Sequence, residues 1–172
     1  DVKTGNGAFM SDPKRAKELA SVMVDLGKAA GVKTRALVTA MDQPLGLTAG
    51  NALEVQESIE VLQGGGPKDV VDLTILLARE MLELVGVQSK DPESALRDGS
   101  AMDIWKKMVR AQGGDPDAPL PKSREAHQIS ATESGTISSM HALKVGVAAW
   151  RLGAGRSRQG EQVQSGAGVV IH

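Results

Sequence analysis

Cysteine and tyrosine are both absent from this chain of 172 residues. Without cysteine there is no disulfide, no thiolate zinc site and no thiol nucleophile. The absence also fits a reducing cytoplasm, which is the expected location. Phenylalanine occurs once and tryptophan twice, too few rings for the stacking platforms that bind single-stranded nucleic acid. Neither sign of charge is in excess, because 20 lysines and arginines face 21 aspartates and glutamates. No overall field therefore holds nucleic acid or an anionic membrane, and neither is expected as a partner. No apolar run approaches the roughly 20 residues needed to cross a bilayer, and no signal-peptide pattern opens the chain.

Apolar residues make up 41% of the chain, enough for a packed core. Asp1-Val2-Lys3 reads as the end of a strand, and Gly168 to His172 reads as a strand at the other edge. Both edges are abrupt, so the chain is expected to be part of a longer protein. After Lys3 comes the glycine-rich turn Thr4-Gly5-Asn6-Gly7-Ala8. Asp12 before Pro13 then forms an N-cap with proline at the first helical position. Ala16, Leu19, Ala20, Met23, Leu26 and Ala30 follow at helical spacing and predict one buried face, with Gly31 as the stop.

Val32 to Thr39 predicts a strand that ends at the turn Met41-Asp42-Gln43-Pro44-Leu45-Gly46. Helices are predicted over 51–63 and 67–85, the second with Val70, Leu73, Leu77, Met81 and Leu84 inward. This alternation of strand and helix predicts helices laid over a mostly parallel sheet. Asp91-Pro92 opens a short helix to Gly99, and Ser100 with Asp103 resembles a capping box for a helix through Ala111. The run Gly113 to Pro121, rich in glycine and proline, is the clearest linker. Beyond it, strands are predicted over 126–131 and 135–140, then a helix from His141 to Leu152. Its inward residues are Ala142, Val145, Ala149 and Leu152, and Trp105 and Trp150 also read as core. The predicted fold class is α/β, with a mostly parallel sheet flanked by helices over residues 1–112. A linker at 113–123 leads to a smaller α+β C-terminal domain over 124–172, which is expected to be incomplete.

Two segments are candidates for chemistry. The glycine-rich turn after Lys3 can aim backbone N–H groups at an anion, although such a turn is more often a tight connection. In the segment from Gln43 to Glu57, Pro44, Gly46 and Gly50 interrupt regular structure and free several carbonyl oxygens. Glu54 and Glu57 follow on neighbouring rows of one helix face. Carbonyls beside a carboxylate suit a hard cation with oxygen ligands, but spacing alone favours a capped helix with two solvated glutamates. Phe9 reads either as a core plug, which the pattern favours, or as the lining of a ligand pocket. His127, His141 and His172 lack metal-ligand spacing and have no evident triad partners. Ser157 between Arg156 and Arg158 reads as a solvated basic turn.

The strings DVKTGNGAFM at 1–10, MDQPLG at 41–46, GNALEVQESIEVL at 50–62 and LGAGRSR at 152–158 carry a further signal. In this order and spacing the chain resembles the pyrimidine nucleoside phosphorylases, the family that includes thymidine phosphorylase. The resemblance implies an enzyme, a pentosyltransferase. Inorganic phosphate is its co-substrate and attacks C1′ of a pyrimidine (deoxy)nucleoside, releasing the base and forming the sugar 1-phosphate with inversion. It implies no organic cofactor, a homodimer for the full-length protein and a potassium-like cation. The Leu45 and Thr48 carbonyls and the Glu57 carboxylate match its ligands, whereas Phe9 matches a residue lining the base pocket, with Lys3 beside it. The family's phosphate-gripping and pyrimidine-holding residues are expected upstream of Asp1, so no catalytic residue is expected in this chain, which alone is expected to be inactive. Two alternatives are a phosphoribosyltransferase of the anthranilate type and a non-catalytic paralogue.

Overall fold

The computed structural model describes residues 1–172. Strand β1 (Val2–Thr4) runs into helix α1 (Pro13–Ala29), and β2 (Val38–Ala40) returns parallel beside β1. Strand β3 (Thr48–Ala49) leads directly into α2 (Asn51–Leu62). Helices α3 (Lys68–Leu84), α4 (Pro92–Arg97) and α5 (Ser100–Ala111) follow. After a long stretch without regular elements come α6 (Ala142–Ala149), a π-helical turn (Trp150–Ala154) and β4 (Val169–Val170). β4 pairs antiparallel with β3, placing Thr48 opposite Val170 and Ala49 opposite Val169. The chain is α/β, and β1 with β2 is its one parallel pair of strands, beside an isolated parallel bridge from Thr4 to Met10.

Helix ends follow local chemistry. Asp12 accepts a hydrogen bond from the Lys14 amide at 2.9 Å, and Pro13 takes the first helical position, where a missing N–H costs nothing. Asp91 caps α4 through the Glu93 and Ser94 amides. The predicted Ser100–Asp103 capping box does not form. Gly99 holds the N-cap in a left-handed conformation, and the Ser100 amide donates instead to Asp98. The side chain of His141, the N-cap of α6, makes no capping bond. The first α6 amides are taken from afar: Ala142 donates to the Asp42 carbonyl at 3.0 Å, and Leu143 to Asn6 Oδ1 at 3.3 Å. Orphan donors at a helix start require such partners.

Only 13 of 172 residues are buried, so the core consists of small patches. One joins Val2 of β1 to Ala16 and Ala20 of α1, with Met10, Leu19 and Ala36 around them. Another joins Val61, Ile75 and Leu96 from α2, α3 and α4. Several predicted inward residues are exposed. On α1 the face beyond Ala20 runs through Val24 and Gly27, whereas Met23 and Leu26 point outward. On α3 the buried residue is Ile75, and Met81 is exposed. Leu152 and Trp150 are exposed too, and Trp105 is half-buried. The predicted strand 32–39 contracts to Val38–Ala40, because only that length meets β1. No strand forms at 126–131 or 135–140, where Ile129 and Ile137 are exposed. So few large apolar side chains bury too little surface to offset backbone ordering.

Arg35 fastens the approach to β2 onto α3, donating to Glu80 at 2.8 Å and to both oxygens of Glu83 at 2.6 and 3.0 Å. The hydrogen bonds and charge of Arg35 hold the Glu83 carboxyl below the usual glutamate range. The resulting stabilisation is complete above that range and is lost as pH falls through the depressed value. Arg35→Gln should therefore lower the thermal midpoint more at pH 7 than at pH 3, read by circular dichroism melts at both values. Asp12→Ala should cost about 1 kcal/mol, measured by urea unfolding.

Candidate functional site

The site builds up around the loop Leu45–Gly50. Gly46 has φ +73°, a left-handed conformation that glycine adopts without strain. A methyl group there would also collide with Glu57 Oε2. The carboxylate of Glu57 thus lies directly beneath the loop, on α2, which starts just under two turns earlier at Asn51. Glu57 is 8% exposed, and a carboxylate so buried costs several kcal/mol unless partners replace its water. The Leu47 amide is one partner, donating to Oε1 at 2.8 Å. Oε2 accepts no hydrogen bond within the chain and retains its acceptor capacity.

Other carboxylates hold the neighbouring amides. Asp69, in the first turn of α3, accepts from the Gly46 amide at 2.9 Å. Glu54 reaches back to the Gly50 amide at 3.1 Å, stabilising the start of its own helix. Loop donors are thereby occupied, while key acceptors are left free. The Leu45 carbonyl accepts no backbone hydrogen bond. Ile171 donates to the Leu47 carbonyl at 2.8 Å, so the β3–β4 ladder bonds fall on Leu47 and Ala49 and skip Thr48. By the alternation of antiparallel pairs, the Thr48 carbonyl points away from β4. The Thr48 hydroxyl is buried and has no partner. An open recess of about 500 Å³ flanks the loop on the α3 side, bordered by Gly46, Leu47, Lys68 and Asp69.

The glycine-rich turn after β1 has a different character. Three of its amides are occupied: Asn6 donates to Asp42 Oδ1 at 3.0 Å, Gly7 to the Met41 carbonyl and Ala8 to the Gly5 carbonyl. Asp42 thus takes the place of an external anion, and the turn serves as a connection. The Asn6 side chain donates to the Asp42 carbonyl at 2.6 Å while its Oδ1 holds α6, joining three segments. Sequence reasoning passed over Asn6, Asp42 and Asp69. For the first two, an asparagine and an aspartate in paired turns offered a signal.

Phe9 is 108% exposed, which overturns its reading as a core plug. The ring stands free at the β1–α1 turn and does not border the recess beside Gly46 and Asp69. Lys3 is half-buried on β1, with its ammonium 2.6 Å from Asp1 Oδ2 and 3.1 Å from Thr39 Oγ1. Lys3 and Phe9 therefore share the β1 end, whereas Leu45, Thr48 and Glu57 share the β3–α2 junction.

Against known proteins, residues 136–172 match the family model described as the pyrimidine nucleoside phosphorylase C-terminal domain. Similarity to named enzymes of this class extends over the whole chain. The chain is 59% identical over 172 residues to a thymidine phosphorylase of Mycobacterium tuberculosis, covering all of this chain and 40% of that protein. It is 42% identical over 182 residues to a pyrimidine-nucleoside phosphorylase of Geobacillus stearothermophilus, covering 99% of this chain and 42% of the relative. The figure for a Bacillus subtilis pyrimidine-nucleoside phosphorylase is 38%, with the same two coverages. The chain thus spans about two fifths of the length of these relatives. No helix is long and apolar enough to cross a membrane.

Gly46→Ala should destabilise the protein by about 1–3 kcal/mol, combining backbone strain with the clash against Glu57. Gly31→Ala, with similar backbone but open space, serves as the control. Thermal melts of the two variants should separate by the contribution of the clash.

Proposed function

We propose that this chain forms part of a pyrimidine-nucleoside phosphorylase acting on thymidine. Support comes from similarity along the entire chain to enzymes bearing these names. In the proposed reaction, inorganic phosphate attacks C1′ and the bond from C1′ to the base breaks. The bonding electrons leave with thymine, and 2-deoxyribose 1-phosphate forms with inversion. Such chemistry depends on positioning and on stabilising the departing base. It requires no covalent nucleophile, in keeping with a chain without cysteine.

The residues present fit a potassium ion. A buried carboxylate with one oxygen free of hydrogen bonds within the chain, two carbonyls without a ladder bond and an orphaned hydroxyl gather at one loop. Leu45 and Thr48 would hold it through their carbonyls and Glu57 through its carboxylate. The ion would neutralise Glu57 and stiffen the loop, with no step in bond breaking. Phe9 would meet the base from the β1 turn, with Lys3 nearby. We assign residues 1–112 to an α/β domain with a mostly parallel sheet and 124–172 to an α+β domain. The segment between Ala111 and Ala142, which lacks regular elements, includes the linker at 113–123. A cytoplasmic homodimer is the proposed working state of the full-length protein.

The full-length protein, given thymidine and phosphate, should release thymine in a phosphate-dependent manner, followed chromatographically. A well-folded protein that releases none would refute the assignment. Glu57→Gln should weaken the rise in melting temperature that potassium produces. An unchanged response would remove Glu57 from the ligand set.

A further inference from the structure

Asp69 is not among the residues matched to the cation by resemblance, yet it grips the same loop. Its carboxylate makes no ion pair. The adjacent Lys68 is engaged with Asp72 on the same helix, and the two Asp69 oxygens accept from backbone amides. Oδ2 takes the Gly46 amide at 2.9 Å and Oδ1 takes the Val70 amide at 3.0 Å. The Gly46 N–H and the Leu45 C=O belong to one peptide unit. That unit is planar and trans, so its N–H and C=O point in opposite directions. Fixing one fixes the other.

We infer that Asp69 is a positioning residue that aims the Leu45 carbonyl at the proposed cation by holding the opposite end of its peptide plane. The inference rests on the cation assignment above and deepens it. Gly46 makes the restraint necessary. A left-handed glycine at φ +73° has no Cβ to resist rotation of the flanking peptides, so an external acceptor must set the plane. Glu57 does the same for the next unit, since its bond to the Leu47 amide fixes the direction of the Gly46 carbonyl. Two carboxylates from two helices therefore orient two consecutive peptide planes. Asp69 and Gly46 both line the recess, and across the trans peptide the Leu45 carbonyl points away from the Asp69 carboxylate. A charged acceptor also holds an amide more firmly than a neutral one. Through Asp69, α3 becomes a support for the loop although it contributes no ligand.

The test is a potassium titration of the full-length protein, exchanged into choline chloride and followed by thermal midpoint. For the wild type the midpoint should rise with potassium. Asp69→Ala should raise the half-maximal potassium concentration by about tenfold, the lower range for loss of a residue that orients a ligand. Asp69→Asn keeps a carbonyl oxygen for the Gly46 amide and should restore most of the affinity. Should Asp69→Ala fail to fold, Asp69→Ser, with a side chain too short for the amide, takes its place. A merely structural Asp69 would lower the midpoint equally at every potassium concentration and leave the half-point unmoved, which would overturn the inference. Asp69→Asn as weak as Asp69→Ala would also overturn it, because charge rather than orientation would then be responsible. A wild-type protein indifferent to potassium would overturn the cation assignment itself, and the inference with it.

Discussion

A carboxylate can leave water only where other dipoles take over its hydration, and that constraint organises the β3–α2 junction. Glu57 is inserted beneath Leu45–Gly50 and draws the Leu47 amide onto itself. For the loop to lie so close, residue 46 must lack a side chain, and glycine meets the need while allowing the left-handed turn. The Leu47 amide goes to Glu57 instead of to the other strand, while its carbonyl accepts from Ile171, so the β3–β4 ladder is short and its Leu47 end is held by a single bond. The short antiparallel sheet, the glycine and the outward carbonyls thus share one origin.

The two glutamates of α2 show how far sequence carries. Their spacing places Glu54 and Glu57 on adjoining rows, and both could equally be solvated. In the folded chain Glu54 is exposed and caps its own helix, while Glu57 is buried. The difference arises from what packs against each residue, which spacing does not encode. Resemblance to a family singled out Glu57 where pattern could not. Helices α1, α2 and α4 were legible because their starts carry local chemistry: Asp12-Pro13, Gly50-Asn51, Asp91-Pro92. The short strands were less so, because their lengths depend on pairing with distant partners. Which face of α1 turns inward was half legible. Ala16 and Ala20 meet β1, but beyond them the helix outruns the strand and the pattern loses its partner. Asp69 gave no local sign at all, because its role exists only when α3 lies beside the loop.

Many apolar side chains stay in contact with water, among them Val22 and Leu26 on α1 and Ile104 and Met108 on α5. A self-contained domain of this size hides far more of its surface. The two small core patches therefore support local geometry, and the polar ties between segments carry much of the remaining organisation. Arg35 to Glu80 and Glu83, and Asn6 to Asp42 and Leu143, are such ties.

The bond between Asn6 and Leu143 bridges positions 137 apart in the chain. Closing so long a loop is slow, because chain entropy must be lost before the contact returns any stability. A ribosome extruding this polypeptide releases the β1 turn well before its partner helix, and β3 well before β4. The carbonyl-lined loop consequently matures only after β4 has emerged, and until then its glycines leave it free to sample other shapes.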